Sequence, residues 1–267
     1  MLKIKEMKPK IGFIGESRQD ILDDLIFAAK NQFDYYELSA HYEGFSLKDG
    51  IIQQAKKISR NNNIFLNLHI PYFLPINSLI PGVSIAAFKF IKEEVILANK
   101  LGAKRITIHS GDKDLPDNKT VVEKNLKILI KNLRKTVNFA KKYEIKIGLE
   151  NSVTSGRICR TAEELLNVTN SIKGLGVVFD VGHMNAIGLD PIEYFKKVKN
   201  RIINIHISDN DGKTDQHVLI GKGNIDFKAL LRECKSAGYY GPFILEIFPP
   251  KDILKAKEIF LNLWNQI

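Results

Sequence analysis

A short apolar segment followed by a longer amphipathic one recurs eight times along this chain, which restricts it to α/β architectures built on a parallel sheet. The apolar segments end near Gly15, Leu38, His69, His109, Glu150, Asp180, His206 and Glu246. Most are short runs of near-continuous β-branched or apolar character, as in Ile202-Ile203-Asn204-Ile205, the pattern of strands buried on both faces. The intervening segments read as helices. Leu126, Leu129, Ile130, Leu133, Val137 and Ala140 fall on one face of a long one. Helix punctuation agrees: Thr161 with Glu164 spells a capping box, Asp190-Pro191 an N-cap with proline at the first helical position, and Gly102 and Gly238 C-terminal stops.

Eight strand–helix alternations without a Pro-, Gly- or Ser-rich linker predict one (β/α)8 barrel, a TIM barrel, over residues 1–267. The competing fold, an open doubly wound sheet, expects a GxGxxG turn after the first strand. Gly12-Phe13-Ile14-Gly15-Glu16-Ser17 matches that poorly. A length of 267 residues, 44% of them hydrophobic and 26% charged, suits a globular barrel. Cys159 and Cys234 lie far apart and form no disulfide framework, which fits a reducing compartment. Met1–Lys10 lacks the apolar core of a signal peptide, and no apolar run approaches the roughly 20 residues of a membrane helix. The expectation is a cytoplasmic protein with no membrane partner. The net charge of +10 admits two readings, attraction of DNA or phosphorylated substrates, or scattered lysines that solvate helices.

A parallel barrel builds its active site where strands end. Six of the eight predicted strand ends stop on a metal-ligand residue type: His69, His109, Glu150, Asp180, His206 and Glu246. Singly, each has an ordinary explanation, such as a hydrogen-bonded core histidine or a helix-capping aspartate. Together, carboxylates and imidazoles converging on one mouth without a cation would repel or stay unsatisfied, so the cluster predicts a divalent metal. Three more candidates lie in loops: His183, turned inward by the backbone freedom of Gly182, and Asp215 with His217, which share a face in extended backbone. Mixed imidazole and carboxylate donors suit Zn²⁺, Mn²⁺, Fe²⁺ or Co²⁺ better than Ca²⁺, and a set without cysteine argues against structural zinc. His41, in the loop after the second strand, and Lys222, in Gly221-Lys222-Gly223, are candidate substrate contacts.

These residues resemble the xylose-isomerase-like TIM-barrel superfamily, which includes the endonuclease IV (AP endonuclease family 2) branch and many sugar isomerases and epimerases. The resemblance runs from the first strand through Pro249. It rests on His69-Ile70-Pro71-Tyr72, His109-Ser110-Gly111, Gly148-Leu149-Glu150-Asn151, Phe179-Asp180-Val181-Gly182-His183, Asp215-Gln216-His217 with Ile220–Ile225, and Leu245-Glu246. The nuclease branch implies up to three Zn²⁺ ions: His69 and His109 on the first, Glu150 bridging to a second held by Asp180, His206 and Glu246, and His183, Asp215 and His217 on the third. The implied activity is metal-dependent hydrolysis of the phosphodiester at abasic sites in DNA, with Glu150 or Glu246 as base and Tyr72 packing into DNA at the lesion. The isomerase branch implies a single Mn²⁺ or similar ion on Glu150, Asp180, His206 and Glu246, with the two glutamates moving a proton on a small sugar or sugar phosphate.

Those four residues are common to both branches. His69, His109, Asp215 and His217, with the basic charge, favour the nuclease; Tyr36-Glu37-Leu38-Ser39 and the short segment between His206 and Asp215 favour the sugar enzymes. The sequence reading puts the abasic-site nuclease first, the sugar isomerase or epimerase second, and a barrel that binds metal without catalysis third.

Overall fold

Strands that are apolar on both faces need cover on both, and a sheet closed on itself inside a ring of helices supplies it. In the computed structural model, which describes residues 7–17, 20–39, 47–116 and 118–267, the strands are β1 (Ile11–Gly15), β2 (Tyr35–Ser39), β3 (Phe65–His69), β4 (Arg105–Ile108), β5 (Lys146–Glu150), β6 (Leu175–Asp180), β7 (Ile202–Ile207) and β8 (Phe243–Leu245). Every neighbouring pair is parallel, and β8 closes on β1 with Phe243 beside Ile11. The (β/α)8 barrel expected from the sequence is what forms.

The helices are α1 (Ile21–Lys30), α2 (Asp49–Asn61), α3 (Pro81–Leu101), α4 (Lys119–Ala140), α5 (Ala162–Asn170), α6 (Val181–Ala186), α7 (Pro191–Val198), α8 (Phe227–Ser236) and α9 (Ile253–Asn265). Local chemistry sets their ends. Thr161 Oγ1 accepts from Glu164 N at 3.2 Å while the Glu164 carboxylate accepts from Thr161 N, a capping box that stabilises α5 by roughly 0.5–2 kcal/mol. Asp190 Oδ1 accepts from Ile192 N at 2.8 Å ahead of Pro191. Gly102 ends α3 at φ +83°, a left-handed turn that a side chain would strain. The anticipated face of α4 packs inward, with Leu129, Leu133, Val137 and Ala140 buried and Leu126 and Ile130 partly so.

Inside the barrel, the register of β6 and β7 shifts between Val177 and Val178, and the Ile203 side chain lies against Gly148 and Gly176. A Cβ at Gly176 would stand 2.6 Å from Ile203 Cγ2, so glycine there makes room for this plug. Other interior positions carry Glu37, Asn67, Thr107 and Asn204, all buried, which form the floor beneath the strand-end cluster. Cys159 and Cys234 are buried free thiols. No helix among the described residues is long and apolar enough to cross a membrane.

Candidate metal centre

Strand polarity delivers the site. Glu150 and Asp180 end β5 and β6, His69 ends β3, His206 is the penultimate residue of β7, and His109 and Glu246 stand one residue beyond β4 and β8. Parallel strands put all six at one mouth. Their donor atoms, with those of the loop residues, fall into groups whose members lie within 4.8 Å of one another: His69, His109 and Glu150; Glu150, Asp180, His206 and Glu246; His183, Asp215 and His217. Glu150 joins the first two groups. Its Oε2 lies 3.1 Å from His109 Nε2 and 3.4 Å from His69 Nε2, and its Oε1 lies 2.9 Å from His206 Nδ1.

The central group fits a divalent cation. His206 Nδ1 sits 2.9 Å from Glu150 Oε1 and 3.1 Å from Glu246 Oε2, yet these approaches miss hydrogen-bonding direction. Both Glu150 oxygens, Asp180 Oδ2 and Glu246 Oε2 are buried without a hydrogen bond. Buried acceptors left this way cost several kcal/mol unless a cation takes their lone pairs. Asp180 divides its oxygens between two tasks, because Oδ1 caps α6 by accepting from His183 N at 2.7 Å while Oδ2 faces the site.

The other face of His206 is equally specific. Its Nε2 donates to Glu37 Oε1 at 3.1 Å, and that donation leaves the Nδ1 lone pair for the site. Glu37 is fully buried and satisfied. Oε1 also accepts from Thr107 Oγ1 at 3.0 Å, and Oε2 accepts from Asn204 Nδ2 at 2.8 Å and Asn67 Nδ2 at 3.2 Å. Burial works against the charge on Glu37, but His206 and His69 with these donors outweigh it and hold the carboxyl below its ordinary range.

Within the site, His69, His183, His206 and His217 are shifted up and Glu150, Asp215 and Glu246 down, while Asp180 is the carboxylate that rises. Burial opposes charge on Glu150, yet the fields of His109 and His206, with the close approach of His206 and His69, hold its pKa well down. Burial likewise opposes charge on His206, but Glu37 and Glu150 raise it well above the usual imidazole value. Asp180 is pushed up to about 6 by burial, and nearby Glu246, Glu150 and Asp215 add to that shift against the field of His183. His217 rises to about 10, because Glu246, Asp215 and Asp180 outweigh its desolvation.

The outer group forms by a different route from the expected one. Gly182 takes no left-handed conformation. It lies in the first turn of α6 and is required to be small, since a Cβ would stand 2.4 Å from Ser208 Oγ. His183 is aimed by Nδ1, 2.9 Å from Asn151 O, which leaves Nε2 facing Asp215 Oδ2 at 3.3 Å. Asp215 and His217 do not share the face of an extended segment: His217 has φ +50°, and this twist brings its Nε2 to 3.1 Å from Asp215 Oδ2. Their loop is anchored by Asp209, a buried carboxylate that accepts four backbone N–H groups, from Asn210, Gly221, Gly223 and Ile225.

Above these groups opens a cavity of about 580 Å³ lined by Glu16, Tyr72, Val153, Thr154, Arg157 and Phe248 and by every candidate ligand except Asp180 and His206, which lie beneath it. Tyr72 is on its wall. Lys222 is exposed and does not line the cavity, because its turn folds back on Asp209. His41 lies outside the described residues. Sequence reasoning did not single out Glu37 or Arg157 as site residues. The signal for Glu37 was its carboxylate within an otherwise apolar strand; no local signal marked Arg157.

Residues 25–262 match the profile of the xylose isomerase-like TIM barrel family. The chain belongs to that family. An uncharacterized family relative from Methanocaldococcus jannaschii is 31% identical over 269 residues, covering 95% of this chain and 88% of that protein. A probable endonuclease 4 of Listeria welshimeri is 30% identical over 181 residues, 61% of this chain and 59% of that protein. Among solved structures, a D-tagatose 3-epimerase-like protein superposes with a TM-score of 0.86 at 30% identity, over 96% of this chain and 98% of that one. A D-psicose 3-epimerase of Clostridium cellulolyticum H10 superposes with a TM-score of 0.80 at 15% identity, over 97% and 99%, a likeness of fold alone. Membership of the xylose isomerase-like family therefore carries both sugar-epimerase and endonuclease names among its relatives, and settles the architecture while leaving the substrate to the site.

Proposed function

We propose that this protein is a divalent-metal-dependent epimerase or isomerase of small sugars. The observation that carries the reading is the placement of two carboxylates, Glu150 Oε1 and Glu246 Oε2, within 3.1 Å of one imidazole nitrogen in a cavity of about 580 Å³. A cavity of that size accepts a monosaccharide. The full-length likeness to a D-tagatose 3-epimerase-like protein supports it, whereas the endonuclease likeness covers 61% of the chain. This reverses the order reached from the sequence, in which the nuclease came first.

A divalent ion on Glu150, Asp180, His206 and Glu246 would supply Lewis-acid polarisation of a substrate carbonyl, which acidifies the neighbouring C–H. Glu150 and Glu246 both lie below the ordinary carboxylate range, because the fields of the surrounding histidines outweigh their burial, so each is a charged base at neutral pH. One glutamate takes the proton from the carbon beside the carbonyl. The other, once it has taken a proton from solvent, gives it to the opposite face of that carbon, yielding the epimer; return of a proton to the former carbonyl carbon, with the neighbouring hydroxyl hydrogen passing to the carbonyl oxygen, yields the isomer. Glu37 holds His206 in the tautomer that keeps Nδ1 toward the site.

The second reading is hydrolysis of abasic DNA with Zn²⁺. A specific observation favours it, namely the two further ligand groups, His69–His109–Glu150 and His183–Asp215–His217, beyond what a single ion needs. Incubation of the Mn²⁺- or Co²⁺-loaded protein with a ketose panel in D₂O separates the two readings. Deuterium incorporation beside the carbonyl, by NMR, supports the isomerase. Failure of exchange across the panel, together with incision of a duplex holding one abasic analogue and about three zinc ions per chain, sinks it.

A further inference from the structure

Arg157 is a cation built into the cavity wall that the proton-transfer chemistry does not use. Its side chain is 7% exposed, and its Nε donates to Asp112 Oδ1 at 2.8 Å. The guanidinium carbon lies 5.1 Å from the centre of the Tyr72 ring, which in turn stands edge-on to His109 at 6.5 Å. Backbone contacts fix the position, with Arg157 N bonded to Thr154 O and Lys113 N to Gly156 O. The Nη nitrogens donate to nothing among the described residues, and the side chain lines the cavity beside Thr154. Asp112 takes Nε alone and is 59% exposed, so water screens its charge at the Nη end. A guanidinium locked at one edge by a carboxylate and at one face by an aromatic ring presents its remaining edge to an incoming oxyanion in a fixed orientation.

We infer that Arg157 forms an anion subsite, and that the substrate is a sugar carrying a terminal oxyanion, a phosphate ester or a carboxylate, rather than a neutral sugar. The inference rests on the isomerase reading and names its substrate class. The sugar's reacting carbons would lie over Glu150 and Glu246 while its charged end reaches along the Tyr72 wall to Arg157. Charge-assisted guanidinium–oxyanion bonds of this kind change binding by about ten- to a hundred-fold.

The test is calorimetric binding to the metal-loaded protein of D-fructose, D-fructose 6-phosphate and 5-keto-D-gluconate, with the wild type, R157K and R157Q. The expected result is that one charged sugar binds at least about tenfold tighter than D-fructose; which one does so tells phosphate from carboxylate. R157Q brings that ratio close to one, and R157K keeps part of it. Metal content, measured in each variant, shows that the centre still assembles. Equal affinity for charged and neutral sugars in the wild type overturns the inference, as does undetectable binding of both charged sugars. A ratio that survives R157Q overturns it as well, since the oxyanion would then sit on the metal. Tighter binding of an abasic duplex than of either charged sugar, lost in R157Q, assigns the arginine to DNA and also overturns it. Because the readout is binding, absent deuterium exchange would refute the isomerase reading without altering these ratios.

Discussion

Replacing Glu37 with glutamine removes one charge from beneath His206, and the surrounding network can absorb the change in hydrogen bonding. In the wild type four donors meet the carboxylate: Thr107 and His206 on Oε1, Asn67 and Asn204 on Oε2. Asn67 Oδ1 and Asn204 Oδ1 are buried without hydrogen bonds. Both amides can therefore rotate to accept from the new glutamine NH₂, while the glutamine oxygen keeps Thr107 and His206. E37Q should fold, keep the His206 tautomer and lose only the charge that makes Nδ1 a stronger donor. Loss of such a carboxylate behind a metal-binding histidine weakens metal by about 10–100-fold, or about 1.4–2.7 kcal/mol. E37A is different, because four buried donors lose their acceptor at about 1 kcal/mol or more each. A destabilisation of at least about 4 kcal/mol, and a Tm lower by about 8 °C or more, follows for a chain of this size. Competition of Co²⁺ or Zn²⁺ against a chromophoric chelator measures the first effect, and thermal melts of chelated protein the second. A metal affinity in E37Q within threefold of wild type, or an E37A variant as stable as wild type, would show that Glu37 is not the support described.

Asp209→Asn should lower stability by about 2–4 kcal/mol, because the amide nitrogen must face two of the four backbone N–H groups whichever way it turns; a melt within 2 °C of wild type contradicts this. In chelated protein the raised pKa of His217, about 10, gives a stabilisation that is complete below the unfolded value near 6.5 and disappears as pH climbs toward 10. Chelated protein should thus lose Tm between pH 6.5 and 10 while metal-loaded protein, whose imidazoles bind as neutral ligands, holds steady, and parallel curves would refute the linkage. Glu246→Gln removes one of the two proton-carrying carboxylates and should cut turnover of any accepted sugar by about 10²–10⁴-fold, read alongside metal content. Retention of a tenth of the activity with a full metal site would exclude Glu246 as a base.

His69, His109, Glu150, Asp180, His206 and Glu246 were legible one strand at a time, because each stands at or beside a strand end, where an apolar run abruptly meets His, Asp or Glu. Their supports were not. Glu37 and Asn204 are separated by 167 residues yet bonded at 2.8 Å, and only closure of the barrel brings β2 against the base of His206. Arg157 looked like any loop arginine until Asp112 and Tyr72, from two other strand-to-helix connections, fixed its two sides. For His217 the extended geometry assumed from its i, i+2 spacing gave the correct neighbour for the wrong reason, since a left-handed backbone makes the contact.

Periodicity and residue type along the chain thus determined the parallel barrel and the identity of the strand-end donors, because both depend on local pattern and on the rule that strands of a parallel barrel end at one face. Tertiary structure alone decided which nitrogen of His206 faces the site, which carboxylates meet there, and that the arrangement lies in a sugar-sized cavity with Arg157 on its wall. Those properties are set by distances of about 3 Å between residues far apart in the chain, and no local pattern encodes them.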